Sequence, residues 1–572
     1  MKFIVNQSRL SRPFSRSTIF AMLGLGAAFV VIAAAKNASV EMTPVQKNSA
    51  LQTDFPRADL NGDGVVDYVD LGIVTVAVSY GNCTGCPEDV NGDGVVNEGD
   101  LMLVRNAWSS LDGPLPPPPL PPNIVPLTPI EQLGKFIVFD ATLSNPIGQS
   151  CAACHTPETG FVGPSSRINA IGCDTPGIIP GRVGDRKPYT YNYASFSPNG
   201  VTLGEKVGAY TGGQFWDGRA ATPAEQSQAP PVNANEMNNT SAPSAANPGF
   251  PYSPLLVEKL KSRPYTPLLK QVYGENVFTT NTPDTIYVLF SQAIAAFEAS
   301  REINQFSSQY DSSTHAVPPS NKYTFTASQE NGRALYFGKA KCSQCHSSAN
   351  DSELTAATNG KNVFTMFCYA NLGIPKNMAN PFYKMTDPSN PGYNAQGENF
   401  IDYGLGGFLY PKQGLPIGNV GPGSDGRGDF LAVNGMFLSP TIRNADKRPY
   451  PAFVKNYMHN GVFKSLKQVV HFYNTRNLTT VPGEVIDFTL PNPYANLKGK
   501  PLWDKPEIIS PLTLTNPTGA KPLADGEAPP ANINPNTNGY GEVGNLGLTE
   551  QEEIDLVNFM STLTDGYSLP SS

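Results

Sequence analysis

Two pentapeptides of one design, CAACH at Cys151–His155 and CSQCH at Cys342–His346, constrain this chain more than any other feature. The chain has 572 residues but only eight Cys and five His, and four of those Cys and two of those His fall inside the two copies. A disulfide, a redox C-x-x-C pair or a zinc site accounts for the thiols. None of them asks for the His that closes both copies. C-x-x-C-H is the attachment pattern of c-type haem. Two thiols add to the two vinyl groups of the macrocycle, and the adjacent imidazole becomes the proximal iron ligand. Two covalent haems c are therefore expected, held by Cys151 and Cys154 and by Cys342 and Cys345, with His155 and His346 as axial ligands.

The pentapeptides close two copies of a longer pattern. TPIEQLGKFIVFD starts at Thr128 and TASQENGRALYFGKA at Thr326. Each opens with a Thr that can cap a helix, and Glu131 or Gln329 three residues on completes a capping box. Gly134 and Gly332 follow six residues after the Thr, and Phe139 and Phe337 eleven after it. A third box, Thr549 with Glu552, opens an amphipathic C-terminal helix. The fold class that follows is mainly α: two c-type cytochrome domains in tandem, an internal duplication, spanning 126–320 and 321–572. The 54 Pro and 53 Gly predict long irregular loops between the helices.

Lys2, Arg9, Arg12 and Arg16 precede an uncharged run, Thr18–Ala35, with small residues after it. Residues 1–36 thus have the layout of an export signal, and the run is also long enough for a membrane anchor. Either way the bulk of the protein is expected in the periplasm or at the cell surface, where disulfides are permitted. The net charge of −8 argues against nucleic acid as a partner and is compatible with a basic redox protein.

Residues 54–110 carry two twelve-residue loops, DLNGDGVVDYVD and DVNGDGVVNEGD. Oxygen side chains stand at positions 1, 3, 5, 9 and 12: Asp59, Asn61, Asp63, Asp67 and Asp70, then Asp89, Asn91, Asp93, Asn97 and Asp100. Gly64 and Gly94 make the sharp turn of an EF-hand calcium loop, although position 12 is Asp rather than Glu. An apolar segment read as a short helix follows each loop. The pair resembles type I dockerin repeats, which implies Ca²⁺ binding and either a cohesin-like partner or a calcium-stabilised surface module with none. Cys83 and Cys86, between the repeats, are placed for a local disulfide. The Pro-rich run Gly113–Asn123, within a linker at 111–125, is a semi-rigid polyproline spacer.

The sixth ligands decide whether the haems relay electrons or do chemistry. An iron with two protein ligands transfers electrons, and one with an open position can bind peroxide or oxygen. Only His315, His459 and His471 remain, and no His lies between His155 and His315. The first haem is therefore read as open, with Met237 as the competing ligand. Downstream of it lies QFWDGRAATPAEQSQAPPVNANEM, Gln214–Met237. Here the chain resembles the bacterial di-haem cytochrome c peroxidase and MauG family, from about Pro126 to the end. The resemblance implies that Trp216 lies between the haems, that Gln226 lines the peroxide pocket, and that Glu236 is its acid/base. The chemistry is sound: cleaving O–O needs a proton moved from the near to the far oxygen, which a carboxylate can do. Read without the resemblance, Trp216 is a core ring and Glu236 a surface charge.

In the same family the sixth ligand of the second haem falls fourteen residues after the His of a Y-x-H-x-G motif. Here that motif is YMHNG, with His459, and the fourteenth residue is Tyr473. The segment reads as helix. His471, two residues earlier, is about 200° away around the axis, so the two cannot share an iron. Spacing favours Tyr473, although His is the commoner haem ligand. An anionic tyrosinate lowers the iron's potential and Met raises it. The resemblance then implies a MauG-like enzyme that reduces hydrogen peroxide. Its electrons would come from a small cytochrome or cupredoxin, or from a protein substrate. The alternative is a surface-displayed electron-transfer cytochrome without peroxidase activity. Lys187 stands where the family has an Asn ligand to a calcium ion between the haem domains. Lys cannot ligate calcium, and its ammonium supplies the charge instead. Cys173 and Cys368 are left to pair with each other or stay free, and His315 is read as a surface loop residue.

Overall fold

The computed structural model describes residues 126–172, 175–204, 209–315, 322–349, 351–409, 435–476 and 543–567. It also describes isolated positions between 58 and 104, at 433, and between 478 and 507. The described residues are helix-rich, with three two-stranded antiparallel sheets. All three expected capping boxes form. They start helices α1 (Pro129–Phe139), α3 (Ala327–Phe337) and α5 (Glu550–Ser561). Between them in sequence run α2 (Pro283–Ala299) and α4 (Leu466–Thr475). At the head of α3, Gln329 N donates to Thr326 Oγ1 at 3.2 Å and Thr326 N donates to Gln329 Oε1 at 3.0 Å. Such a box satisfies two backbone donors that the first helical turn leaves open.

The repeated glycines explain how the helices cross. A Cβ on Gly134 would lie 1.9 Å from the Ala293 carbonyl oxygen, so α1 rests directly on the backbone of α2. A Cβ on Gly332 would lie 1.9 Å from the Asp555 carbonyl oxygen, so α3 meets α5 the same way. Phe297 and Phe559 lie just beyond these crossings and are fully buried. Two hydrophobic cores result. One gathers Leu133, Ile137, Ile286, Phe290 and Phe297, and the other Tyr336, Leu466, Val470, Leu556 and Phe559. Each such side chain, fully buried, contributes about 1.5–3 kcal/mol.

A third cluster, with Tyr193, Phe306, Phe367, Tyr369 and Leu438, includes residues from both halves of the chain. The hairpin β1 (Thr202–Gly204) and β2 (Ala209–Thr211) leads to it. Beyond it β3 (Tyr369–Ala370) pairs with β4 (Phe437–Leu438). Thr211 bridges Cys368, and Leu438 N donates to the Trp216 carbonyl at 2.9 Å. Arg443, fully buried, forks onto Asp311 with two bonds of 2.8 Å.

Some expectations fall outside the described residues or change. Asp59, Asn61, Asp63, Asp67, Asn91, Asp93 and Asn97 lie outside, as do Thr18–Ala35, Cys83, Cys86, Gly113–Asn123 and Cys173. Ile73, Val74, Ala77 and Val104 are helical, and Asp70 Oδ1 accepts from Leu60 N at 2.6 Å. Among the described residues no three His, Cys, Asp or Glu stand close enough to hold a metal. None of their helices is long and apolar enough to cross a membrane. His315 is not in a loop but ends the helix Gln309–His315, where it stays exposed. Cys368 is a free, buried thiol with its Sγ 3.6 Å from Ser439 Oγ.

Candidate functional site

Each C-x-x-C-H motif folds as one 3₁₀ turn, Cys151–Ala153 and Cys342–Gln344, followed by its second Cys and its His. His155 Nδ1 lies 3.2 Å from the Phe161 carbonyl oxygen and His346 Nδ1 lies 3.0 Å from that of Pro440. A carbonyl can only accept, so Nδ1 carries the proton in both rings and Nε2 keeps its lone pair. Burial pushes both imidazoles down to about 4, which keeps them neutral, the form that binds a metal.

The second motif opens on a large cavity. Cys342, Cys345 and His346 line it, and so do Tyr473, Trp216, Phe437 and His459. Helix α4 supplies Tyr473 because Ser465 caps it, with its side chain accepting from Gln468 N. Burial raises the phenol of Tyr473 well above its usual range. His471, on another face of α4, is not among the lining residues. His459 is 4% exposed, and its Nε2 has no hydrogen-bond partner among the described residues. The donor set fits a haem c: two thiols, an imidazole, a phenol and an unmet ring nitrogen around one mostly apolar space. Cys368 touches this site from behind, hydrogen-bonded to Cys345.

At the first motif, burial pushes the Cys151 thiol up to about 12, with the Glu298 and Glu236 carboxylates adding to it. Glu236 therefore stands within electrostatic reach of the attachment thiol. Burial raises Glu236 to about 7, against the pull of the Arg219 guanidinium. Gln226 ends the short helix Pro223–Gln226, and its side-chain amide makes no hydrogen bond among the described residues. Met237 is buried among core side chains such as Leu143 and Leu256. Tyr191 stacks on His155 at 4.1 Å. This motif thus has its thiols, imidazole and acid together, which fits a second haem c.

Trp216 lines the cavity of the second motif. Its Nε1 donates to the Lys187 carbonyl at 2.8 Å, and Lys187 N donates to the His459 carbonyl at 2.8 Å. Its ring meets Tyr189 at 4.9 Å and His459 at 6.5 Å, both edge-on. The next residue, Asp217, pairs with Arg186 at 2.7 Å, and Arg186 forks onto Asp402 at 2.6 and 2.7 Å. Those bonds hold Asp402 down at about 2 although burial alone would raise it.

A buried lysine that joins the two halves is one that sequence reasoning missed. Lys455 Nζ donates to the carbonyls of Thr159, Asn444 and Lys447 at 2.7, 3.2 and 3.0 Å. Lys187 is near enough to depress it further, after burial. That Lys187 replaces a calcium charge here stays an expectation of the sequence; Lys455, which the sequence did not single out, stands beside it. No local motif marks Lys455; its carbonyl cage exists only after the halves dock.

Residues 129–316 match the family model described as di-haem cytochrome c peroxidase. The chain is 27% identical over 401 residues to the methylamine utilization protein MauG of Paracoccus denitrificans (strain Pd 1222), covering 69% of this chain and 85% of that one. It is 25% identical over 374 residues to the cytochrome-c peroxidase IdrP1 of Pseudomonas sp. (strain SCT), covering 63% and 76%. Among solved structures, the diheme peroxidase BthA from Burkholderia thailandensis E264 is similar at 25% identity and a TM-score of 0.52, covering 77% of this chain and 87% of that one.

Proposed function

We propose that this chain is an exported di-haem peroxidase or oxidase of the di-haem cytochrome c peroxidase and MauG family, a reading that the family match, the relatives and the fold support. Haem c, when bound, supplies iron at which peroxide can be reduced and a redox couple for the electrons. Cys151, Cys154 and His155 would hold one haem at the peroxide site, and Cys342, Cys345, His346 and Tyr473 would hold the other. Glu236 would move the proton from the near to the far oxygen of peroxide, and Gln226 would line the peroxide pocket. Trp216 carries electrons between the sites. The donor is a redox protein or a protein substrate oxidised in turn. The observation that carries this reading is Glu236: a carboxyl raised to about 7 by burial, near Cys151, is poised to accept and return a proton at neutral pH.

Further parts of the proposal rest on sequence alone. They are the tandem relation of the two cytochrome domains, the export signal, and a dockerin-like Ca²⁺ module at 54–110 with a cohesin-like partner. Peroxide consumption with a reduced one-electron donor tests the central reading. Turnover that requires both haems supports it. A protein that carries both haems and neither binds nor consumes peroxide, even after reduction, overturns it.

A further inference from the structure

The assigned roles leave the surroundings of His459 unexplained. This residue is 4% exposed, yet its Nε2 finds no partner among the described residues. A buried, unmet ring nitrogen is costly, so such groups in native proteins generally face a ligand or an ion. The ring is held firmly. Phe437 stacks on it at 3.5 Å with the planes 9° apart, and Trp216 meets it edge-on at 6.5 Å. Its carbonyl accepts from Lys187 N, the same residue whose carbonyl receives the Trp216 indole. All three rings line the cavity that also holds Cys342, Cys345 and His346. The charged groups that act on His459 are Asp402 and Arg186. They are locked to each other at 2.6 and 2.7 Å, so neither is offered to the imidazole as a partner.

The occupant therefore has to supply the partner. The polar groups on the rim of a haem c are its two propionate carboxylates; the rest of the macrocycle is apolar. We propose that His459 Nε2–H donates a hydrogen bond to a propionate of the haem attached at Cys342 and Cys345. It thereby anchors that haem's edge against Trp216. This rests on the di-haem reading above. Its consequence is electrostatic. A donor on the propionate spreads the negative charge that would otherwise favour ferric iron, so His459 holds the potential of this haem up. Through Asp402, Arg186 and Asp217, the same imidazole is coupled to the segment that carries Trp216.

The test is a spectroelectrochemical titration of both haems in the full-length holoprotein, comparing wild type with H459F and H459Q. The Gln amide places a donor close to where Nε2 stood, and Phe keeps the ring stack without a donor. The expected result is a lower midpoint potential for the C-terminal haem in H459F, recovery in H459Q, and no shift in the N-terminal haem of either. Three results overturn the proposal. One is an unchanged potential in H459F. Another is an equal shift in both variants, which would mark a packing role. The third is conversion of the low-spin haem to high spin in H459F, which would make His459 an iron ligand. A haemochrome assay on the same samples separates this from failure of the di-haem reading. Fewer than two covalent haems in wild type would sink both.

Discussion

His471 Nδ1 stands 2.9 Å from Glu553 Oε1, so this histidine belongs to the contact between α4 and α5. Tyr473, two residues on, lines the cavity instead. A residue is turned about 100° per position on a helix, which is why the neighbours serve different masters. The first prediction follows. Tyr473→Phe removes the phenolate and converts the C-terminal haem from low spin to high spin. His471→Ala leaves that spectrum unchanged and lowers stability by about 1–2 kcal/mol through the lost buried bond to Glu553. Optical and electron paramagnetic spectra of the two variants, with denaturant melts, check both halves.

Glu236→Gln keeps size and polarity but cannot take a proton. The rate of reaction with peroxide should fall by about a hundred- to ten-thousandfold. In the wild type the carboxylate is the active form. The rate should therefore rise with pH through about 7 and level off above it. Stopped-flow traces across pH 5–9 (roughly the range in which such groups titrate) read the profile, and a flat one contradicts the assignment.

Lys455→Met should cost stability. It leaves the carbonyls of Thr159, Asn444 and Lys447 without their buried donor, at about 3 kcal/mol. Lys455→Arg should not restore the loss, because a planar guanidinium does not fit a cage shaped for a compact ammonium. Equilibrium unfolding in guanidinium measures both.

Glu298 is buried on α2, and one of its carboxyl oxygens has no partner. Burial raises it from the usual 4.5 to about 8. The folded value lies above the unfolded one, so the native state keeps a proton that the unfolded chain releases. Stability contributed by that proton is full below about 4.5 and is lost as pH rises toward about 8. Glu298→Gln should remove this slope. Calorimetric melts at several pH values would show it, with the largest gain over wild type at the alkaline end.

What was legible in the sequence was what short stretches decide. The capping boxes at Thr128, Thr326 and Thr549 bond within three residues, so they could be read directly. Gly134 and Gly332 were visible as a repeat, but their reason, a helix backbone 1.9 Å from where a Cβ would sit, is tertiary. His315 was misplaced because DSSTHAVPPS has no apolar periodicity. The helix there is started by Ser308 and Asp311, whose reciprocal bonds of 3.0 and 3.2 Å form an S-x-x-D signal that could have been found. The Lys455 cage and the unmet nitrogen of His459 could not. The nearest carbonyl of that cage comes from Thr159, 296 residues away, and an unpaired atom is defined by everything around it. The resemblance assigned Glu236 its role, and only burial in the fold supplies a physical cause for its raised affinity for protons.

The central claim is one open haem and one closed haem in the same chain, and the electron paramagnetic spectrum of the oxidised protein tests it most directly. The account predicts one high-spin ferric signal and one low-spin signal. It predicts that peroxide abolishes the high-spin signal, and that Glu236→Gln slows this loss. Two low-spin signals that ignore peroxide, before and after reduction, would contradict it.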